Sequence, residues 1–231
     1  MTLLEKIYYT TQITSFVIIA FTAVHAKKQY QEQLLHSRIA KAAELAKHFK
    51  ENQIPLLAHI LILFKVKELK PILEKINLDE IKYFNANELG AIIEPKELDL
   101  FKAALTLDVS QILQNKNTGE KKERLSGIMV DCLNDLEYFC INFNSKIADT
   151  DTVYQSLHQA LFSAIPIIYI YISSINASGT DKYYTNIIAV YNTWRKKYNL
   201  QLEKERKLYQ QQKKYANHCQ EATVISPPQI K

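Results

Sequence analysis

Apolar residues recur along most of this chain at spacings of three and four, the period of a helix with one buried face. The longest such pattern runs from Glu120 to Ala148. Leu125, Met129, Cys132, Leu136, Phe139, Phe143 and Ile147 share its face, widened by Ile128, Leu133 and Cys140. Asp149-Thr-Asp151 breaks that helix and caps the next, which is expected to reach about Asn176. A last helix is expected from Asp181 to roughly Tyr215, with Tyr184, Ile187, Tyr191, Trp194 and Tyr198 facing inward. The tail with Ser226-Pro-Pro228 is expected to be loose.

Prolines punctuate the first half. Pro55, Pro71 and Pro95 each suit a first helical position, where a missing N–H costs nothing. Ile54 to Phe64 is an apolar run too short to span a bilayer and reads as a core helix. Asn77-Leu-Asp-Glu80 has the form of an N-cap with a third-position glutamate, opening a helix that ends near Gly90. Pro95 to about Asn115 forms another, closed by Asn117-Thr-Gly119. Thr152 to Thr180 lacks formal charge. Polar residues at both ends and Pro166 within it favour a central helix buried all round, with a second membrane span as the alternative.

The front of the chain is different. Ile7 to Ala26 contains no charge over 20 residues, a length of about 30 Å as helix, which matches a bilayer's hydrocarbon core. Tyr8 and Tyr9 sit at one end, and Lys27 and Lys28 close the other. A transmembrane anchor is the expectation. A signal peptide cleaved after Val24-His25-Ala26 and a buried soluble helix are the alternatives. Lys6 alone precedes the span, whereas Lys27, Lys28, Arg38 and Lys41 follow it, which is expected to place the carboxyl-terminal body in the cytoplasm.

After the span, Leu35, Ile39, Ala42, Ala46 and Phe49 make a seam of about two heptads, suited to a self-associating stalk or to packing within the body. The expected organisation is an anchor at 1–27, a helical stalk at 28–52, a helical bundle at 53–216 and a flexible tail at 217–231. The fold class is all-α: an N-terminal transmembrane helix followed by a cytoplasmic helical bundle.

Composition narrows the chemistry. Only 4 of 231 residues are glycine, which excludes glycine-rich phosphate loops and argues against a turn-rich sheet protein. Gly90, Gly119 and Gly179 fall at expected helix ends. Gly127 lies inside a helix and suggests close packing there. The net charge of +5 is mild. Cys132 and Cys140 are eight residues apart on one helix, about 12 Å, too far for a disulfide. With Cys219 they read as reduced thiols.

Candidate site residues are few. Asn134 and Glu137 share a face beside the apolar seam. Glu137 is a candidate acid–base or ligand group, or else a polar pair that fixes register or caps a neighbouring helix. The six histidines are scattered, and Glu44 with His48 reads as a solvated pair rather than half a metal site. No catalytic, metal or cofactor constellation is readable. From Arg195 to Lys214 there are eight basic residues against two acidic. The stretch reads as a solvated helix end, or else Arg195, Lys196, Lys197, Lys204, Arg206 and Lys207 are candidates for contact with the anionic leaflet or a partner, with nucleic acid or a nucleotide still open.

The stretch Leu133-Asn-Asp-Leu-Glu137, with Asp149 to Asp151 and the long helix carrying Pro166, resembles an uncharacterised bacterial family. Its members have one amino-terminal span and an all-helical cytoplasmic domain of unknown function, built around an L-N-x-x-E helix. The likeness covers residues 1–50 and 120–200. It implies no established activity, although some relatives accompany phage-defence genes. The expected function is a membrane-tethered helical scaffold, sensor or regulator that binds an unidentified protein partner or self-associates as a homo-oligomer at the inner membrane. The rival is a membrane-perturbing toxin or phage-defence effector triggered through the helical domain.

Overall fold

The computed structural model describes residues 3–66, 68–108, 124–177 and 182–224, and the side chains among them except at 5–10, 13, 65–66 and 216–224. In chain order the helices are α1 (Leu3–His48), α2 (Ile54–Val66), α3 (Lys70–Glu74), α4 (Ala86–Ile92), α5 (Pro95–Leu105), α6 (Leu125–Asn144), α7 (Thr150–Ile175) and α8 (Thr185–Val224). Among the described residues the regular elements are all helical, as expected from the 3.6-residue pattern.

At the centre is α7, in contact with α1, α2, α3, α4, α6 and α8. Leu161, Ile165, Ile168, Tyr169, Ile170 and Ile172 are fully buried along it. Of the helices whose side chains are all described, it is the one long and apolar enough to cross a membrane, yet 56% of that apolar window is buried inside the protein. Its faces are taken up by neighbouring helices, as a core helix's are. Around it, Phe49 packs on Phe139 at 4.9 Å between ring centroids and Phe64 on Phe101 at 5.3 Å. Each such side chain contributes about 1.5–3 kcal/mol of burial.

Several boundaries differ from expectation. Pro55 does not follow a break, because α1 continues into α2 through a π-helical turn, Phe49–Gln53. Proline has no N–H for the carbonyl of Glu51 and crowds it, so the chain widens upstream instead of ending. Asn77 to Glu80 makes only a turn, and α4 opens later, capped by Asn85. Ile81 and Phe84 both reach the core, and Phe84 does so at a left-handed φ of 50°, which continuous helix from Asn77 would not allow. Helix α5 ends at Leu105, earlier than expected. Residues 109–123, including Gly119 and the end expected near Asn115, lie outside the described residues, as does Gly179. Ile147 lies past the end of α6 and is exposed. Helix α8 begins at Thr185 and continues to Val224, through part of the expected loose tail.

The two described glycines, Gly90 and Gly127, do not do what their placement suggested. Gly90 sits inside α4, and a Cβ added at Gly127 would meet nothing within 4 Å, so no close helix packing explains it. Among the described residues, Glu68, Phe84, Lys146 and Tyr184 hold left-handed positions, at φ between 50° and 58°. Lys146 closes α6: its N–H bonds the Phe143 carbonyl, and the next N–H, Ile147, bonds Asn142. That is a Schellman closure with lysine at the glycine position.

Both ends of the molecule's long helices emerge together. The N–H of Asp149, the cap of α7, bonds the Arg38 carbonyl on α1 at 3.1 Å, and Asp151, in the first turn of α7, pairs with Lys197 on α8. The helix α1 enters the core only after this level, at Ala42, and α8 leaves it just beyond, with Gln201 bonded to the Tyr154 hydroxyl at 3.0 Å. The amino-terminal part of α1 and the carboxyl-terminal part of α8 therefore project from the same end of the bundle.

Candidate functional site

Glu137 is a capping residue. Its Oε1 accepts the backbone N–H of Asn186 at 3.1 Å and the Asn186 side-chain amide at 2.8 Å, and its Oε2 accepts the Ile187 N–H at 2.9 Å. These are the first-turn donors of α8, which no intrahelical carbonyl can satisfy. A carboxylate placed there also meets the positive end of the helix dipole. Asn134 is exposed and accepts the Tyr184 hydroxyl at 3.4 Å, while Asn144 donates to the Asn186 side chain at 2.9 Å. The face singled out by sequence is thus a joint between α6 and α8, with both Glu137 oxygens engaged.

A second carboxylate, not found by sequence reasoning, does similar work. Glu88 accepts backbone N–H groups from Lys82 at 2.6 Å, Tyr83 at 3.2 Å and Phe84 at 2.8 Å, and the buried Tyr169 hydroxyl at 3.1 Å. Its own N–H bonds the Asn85 cap at 2.9 Å. Burial raises the Tyr169 hydroxyl pKa, and the neighbouring Glu88 adds to the rise. The signal was present: Asn85-Ala-Asn-Glu88 repeats the Asn-x-x-Glu form of Asn77 to Glu80.

Glu88 fixes the Leu78–Asn85 strap, which with α8 encloses a cleft of about 970 Å³. Asn192 donates to the Lys82 carbonyl at 2.9 Å, tying the strap to α8. Arg195 donates through Nε to Asp79 at 3.1 Å and through a second nitrogen to the same oxygen. This bond holds the Asp79 carboxyl below its usual range. Lys82, Lys182 and Lys196 line the cleft with Asp79 and Glu203.

The basic stretch accordingly divides. Arg195 is engaged by Asp79 and lies over the rings of Phe162 and Tyr198, and Lys197 pairs with Asp151 above the Tyr154 ring. Both pair across the body, Arg195 to the strap and Lys197 to the start of α7. Lys196 faces the cleft, and Lys204, Arg206 and Lys207 are exposed beyond the body. The stalk seam divides too: Ala42 and Phe49 are buried in the bundle and Ala46 packs against it, while Leu35 and Ile39 remain exposed.

Buried Cys132 has its thiol pushed up to about 12, first by burial and then by Asp135, and it donates to Gln53 at 3.4 Å. Burial raises Cys140 as well. Glu44 pairs with Lys41 at 2.8 Å rather than with His48. Among the described residues no three potential metal-ligating side chains come together.

No curated protein and no solved structure matches the chain. Its sequence does match one family, from within α1 to the first turns of α8. Residues 10–194 fit a domain of unknown function, DUF4760, and the chain belongs to that family.

Proposed function

We propose that this protein is a membrane-tethered helical regulator or scaffold, anchored by the amino-terminal part of α1 with its body on the cytoplasmic side of the inner membrane. One observation carries the reading. Phe16, Val17, Ile18, Ile19, Phe21 and Val24 are all exposed, Phe16 at 75%, on a helix that the body does not cover until about Arg38. An exposed apolar surface of that length is costly in water and favourable in lipid. The side chains of Tyr8, Tyr9 and Ile13 lie outside the described residues. Lys27 and Lys28, with Arg38 and Lys41, support the cytoplasmic orientation. The joint and the strap use their polar groups to fix helices, which suits a body that presents surfaces rather than performs a reaction.

Alkaline extraction of membranes from cells expressing the full chain tests this. The protein is expected to stay in the pellet and to lose that behaviour when Ile18 and Ile19 become Asp. Release of the parent chain into the supernatant would sink the reading. Growth arrest on expression that Ile18→Asp abolishes would favour the membrane-perturbing effector instead.

A further inference from the structure

The α8 arm beyond the body is a charged surface, and past Glu203, which still lines the cleft, it lies clear of the described bundle. From Glu203 to Tyr215 every side chain is exposed. This segment carries five basic against two acidic residues, a balance of +3. Lys204, Arg206, Lys207, Lys213 and Lys214 are the cations, and exposed Leu208, Tyr209 and Tyr215 lie among them. Both carboxylates, Glu203 and Glu205, sit at the base of the arm nearest the body.

We propose that this arm docks on the anionic headgroups of the membrane that α1 spans, and so fixes the orientation of the body against the bilayer. The inference rests on the anchoring of α1 proposed above. Its geometric basis is that the two helices leave the same end of α7. Arg38 on α1 and Lys197 on α8 both meet the first turn of α7, at Asp149 and Asp151. From Arg38 back to Lys28 is ten residues, and from Lys197 forward to Lys207 is also ten. Each distance is about 15 Å along a helix, and Lys214 reaches about 26 Å. Measured along the two helices, the arm's cations from Lys204 to Lys214 thus span the same distance from α7 at which Lys28 sits on α1.

The chemistry fits lipid. Basic residues near an anionic leaflet gain about fivefold in affinity each, so a balance of +3 favours acidic over neutral lipid by roughly a hundredfold. Tyrosines with an apolar ring and a polar tip partition to the membrane interface.

The test places the full chain in nanodiscs of phosphatidylcholine alone, or of phosphatidylcholine with phosphatidylglycerol, and follows amide exchange in residues 203–215. Slower exchange on the acidic discs is expected, erased by high salt and by the combined variant Lys204→Gln, Arg206→Gln, Lys207→Gln, Lys213→Gln, Lys214→Gln. The matching variant with arginine at each lysine should retain it. Equal exchange on the two discs overturns the arm's role and leaves the anchor standing. A chain recovered outside the discs overturns the anchor, and the proposal with it. Protection that appears without lipid on adding RNA, or that rises with protein concentration, also overturns it, in favour of nucleic acid or a second copy.

Discussion

Glu137 holds Asn186 twice, through the backbone N–H at 3.1 Å and the side-chain amide at 2.8 Å, and so ties the middle of α6 to the first turn of α8. Charge-assisted bonds of this kind contribute about 1.5–3 kcal/mol. Glu137→Ala should therefore lower stability by about 2 kcal/mol, read by urea denaturation with Trp194 fluorescence. The amides of Asn186 and Ile187 should also exchange faster. A group kept for acid–base chemistry would lose turnover while keeping stability. An unchanged urea midpoint in Glu137→Ala would contradict the capping role.

The left-handed lysine gives a prediction of opposite sign. Lys146 sits at φ 58° in the closing turn of α6, a conformation that costs about 1–2 kcal/mol for a residue with a side chain. Lys146→Gly should raise stability by up to about 1 kcal/mol. Gly127→Ala should also stabilise, by less than about 1 kcal/mol, because the added methyl meets nothing and the helix is stiffened. Thermal melts of the two single variants check both signs.

Buried thiols should be silent. With its pKa pushed up to about 12, Cys132 stays protonated at neutral and mildly basic pH, and the thiolate is the reactive form. In a Cys219→Ser background, which leaves only Cys132 and Cys140 to count, the native protein should show no fast-reacting thiol at pH 8. Both should react once urea unfolds the chain. Rapid modification under native conditions would show that the core around Gln53 opens.

Acid should weaken the α6–α7 junction. The Asp149 carboxyl is held below its usual range by the Thr152 hydroxyl and then by the Thr152 N–H, with Arg38 and Lys197 adding to the effect. Its folded pKa lies below the unfolded value of about 3.9. Its contribution is therefore full above about pH 4 and is lost as pH falls through the folded value. Asn caps a helix nearly as well as Asp but does not titrate. Asp149→Asn should be less stable than the parent by about 0.5 kcal/mol at pH 7, and the gap should close as pH falls through the lowered folded value. A gap that persists in acid would mean that the charge is not the cause.

The pattern of apolar positions made the helical class and the buried faces of α6, α7 and α8 legible. Trp194, Tyr191 and Ile187 lie where their spacing put them. Boundaries were harder, because competing local signals are settled by packing. Two Asn-x-x-Glu segments stand eight residues apart, and only Asn85 opens a helix. At the first, Asp79 is drawn to Arg195 on a distant helix, and Ile81 and Phe84 are drawn into the core. The Glu137 face was visible as a polar pair on an apolar helix, but its partner lies 49 residues further along the chain. No local pattern encodes that meeting. Charge density overstated the basic stretch for the same reason, since Arg195 and Lys197 have partners far away in sequence.

Glu88 offers the most demanding test of how the cleft is held. Its two oxygens face three backbone N–H groups and the Tyr169 hydroxyl, all donors. Phe84, one of those donors, is fully buried and left-handed, and its ring lies 5.1 Å from that of Tyr169. A carboxylate satisfies this arrangement because it is acceptor-only, whereas an amide would turn an NH₂ group toward donors. Glu88→Gln should therefore approach Glu88→Ala in severity, each costing about 3 kcal/mol, since buried donors lose their partner in both. Glu88→Asp should fall between them and the parent, because the charge is kept but the reach is shorter. Urea midpoints order the series, and proton exchange at the Phe84 amide reports the strap itself. A Glu88→Gln protein with the parental midpoint would show that the strap is held by Asn192 and Arg195 rather than by the carboxylate.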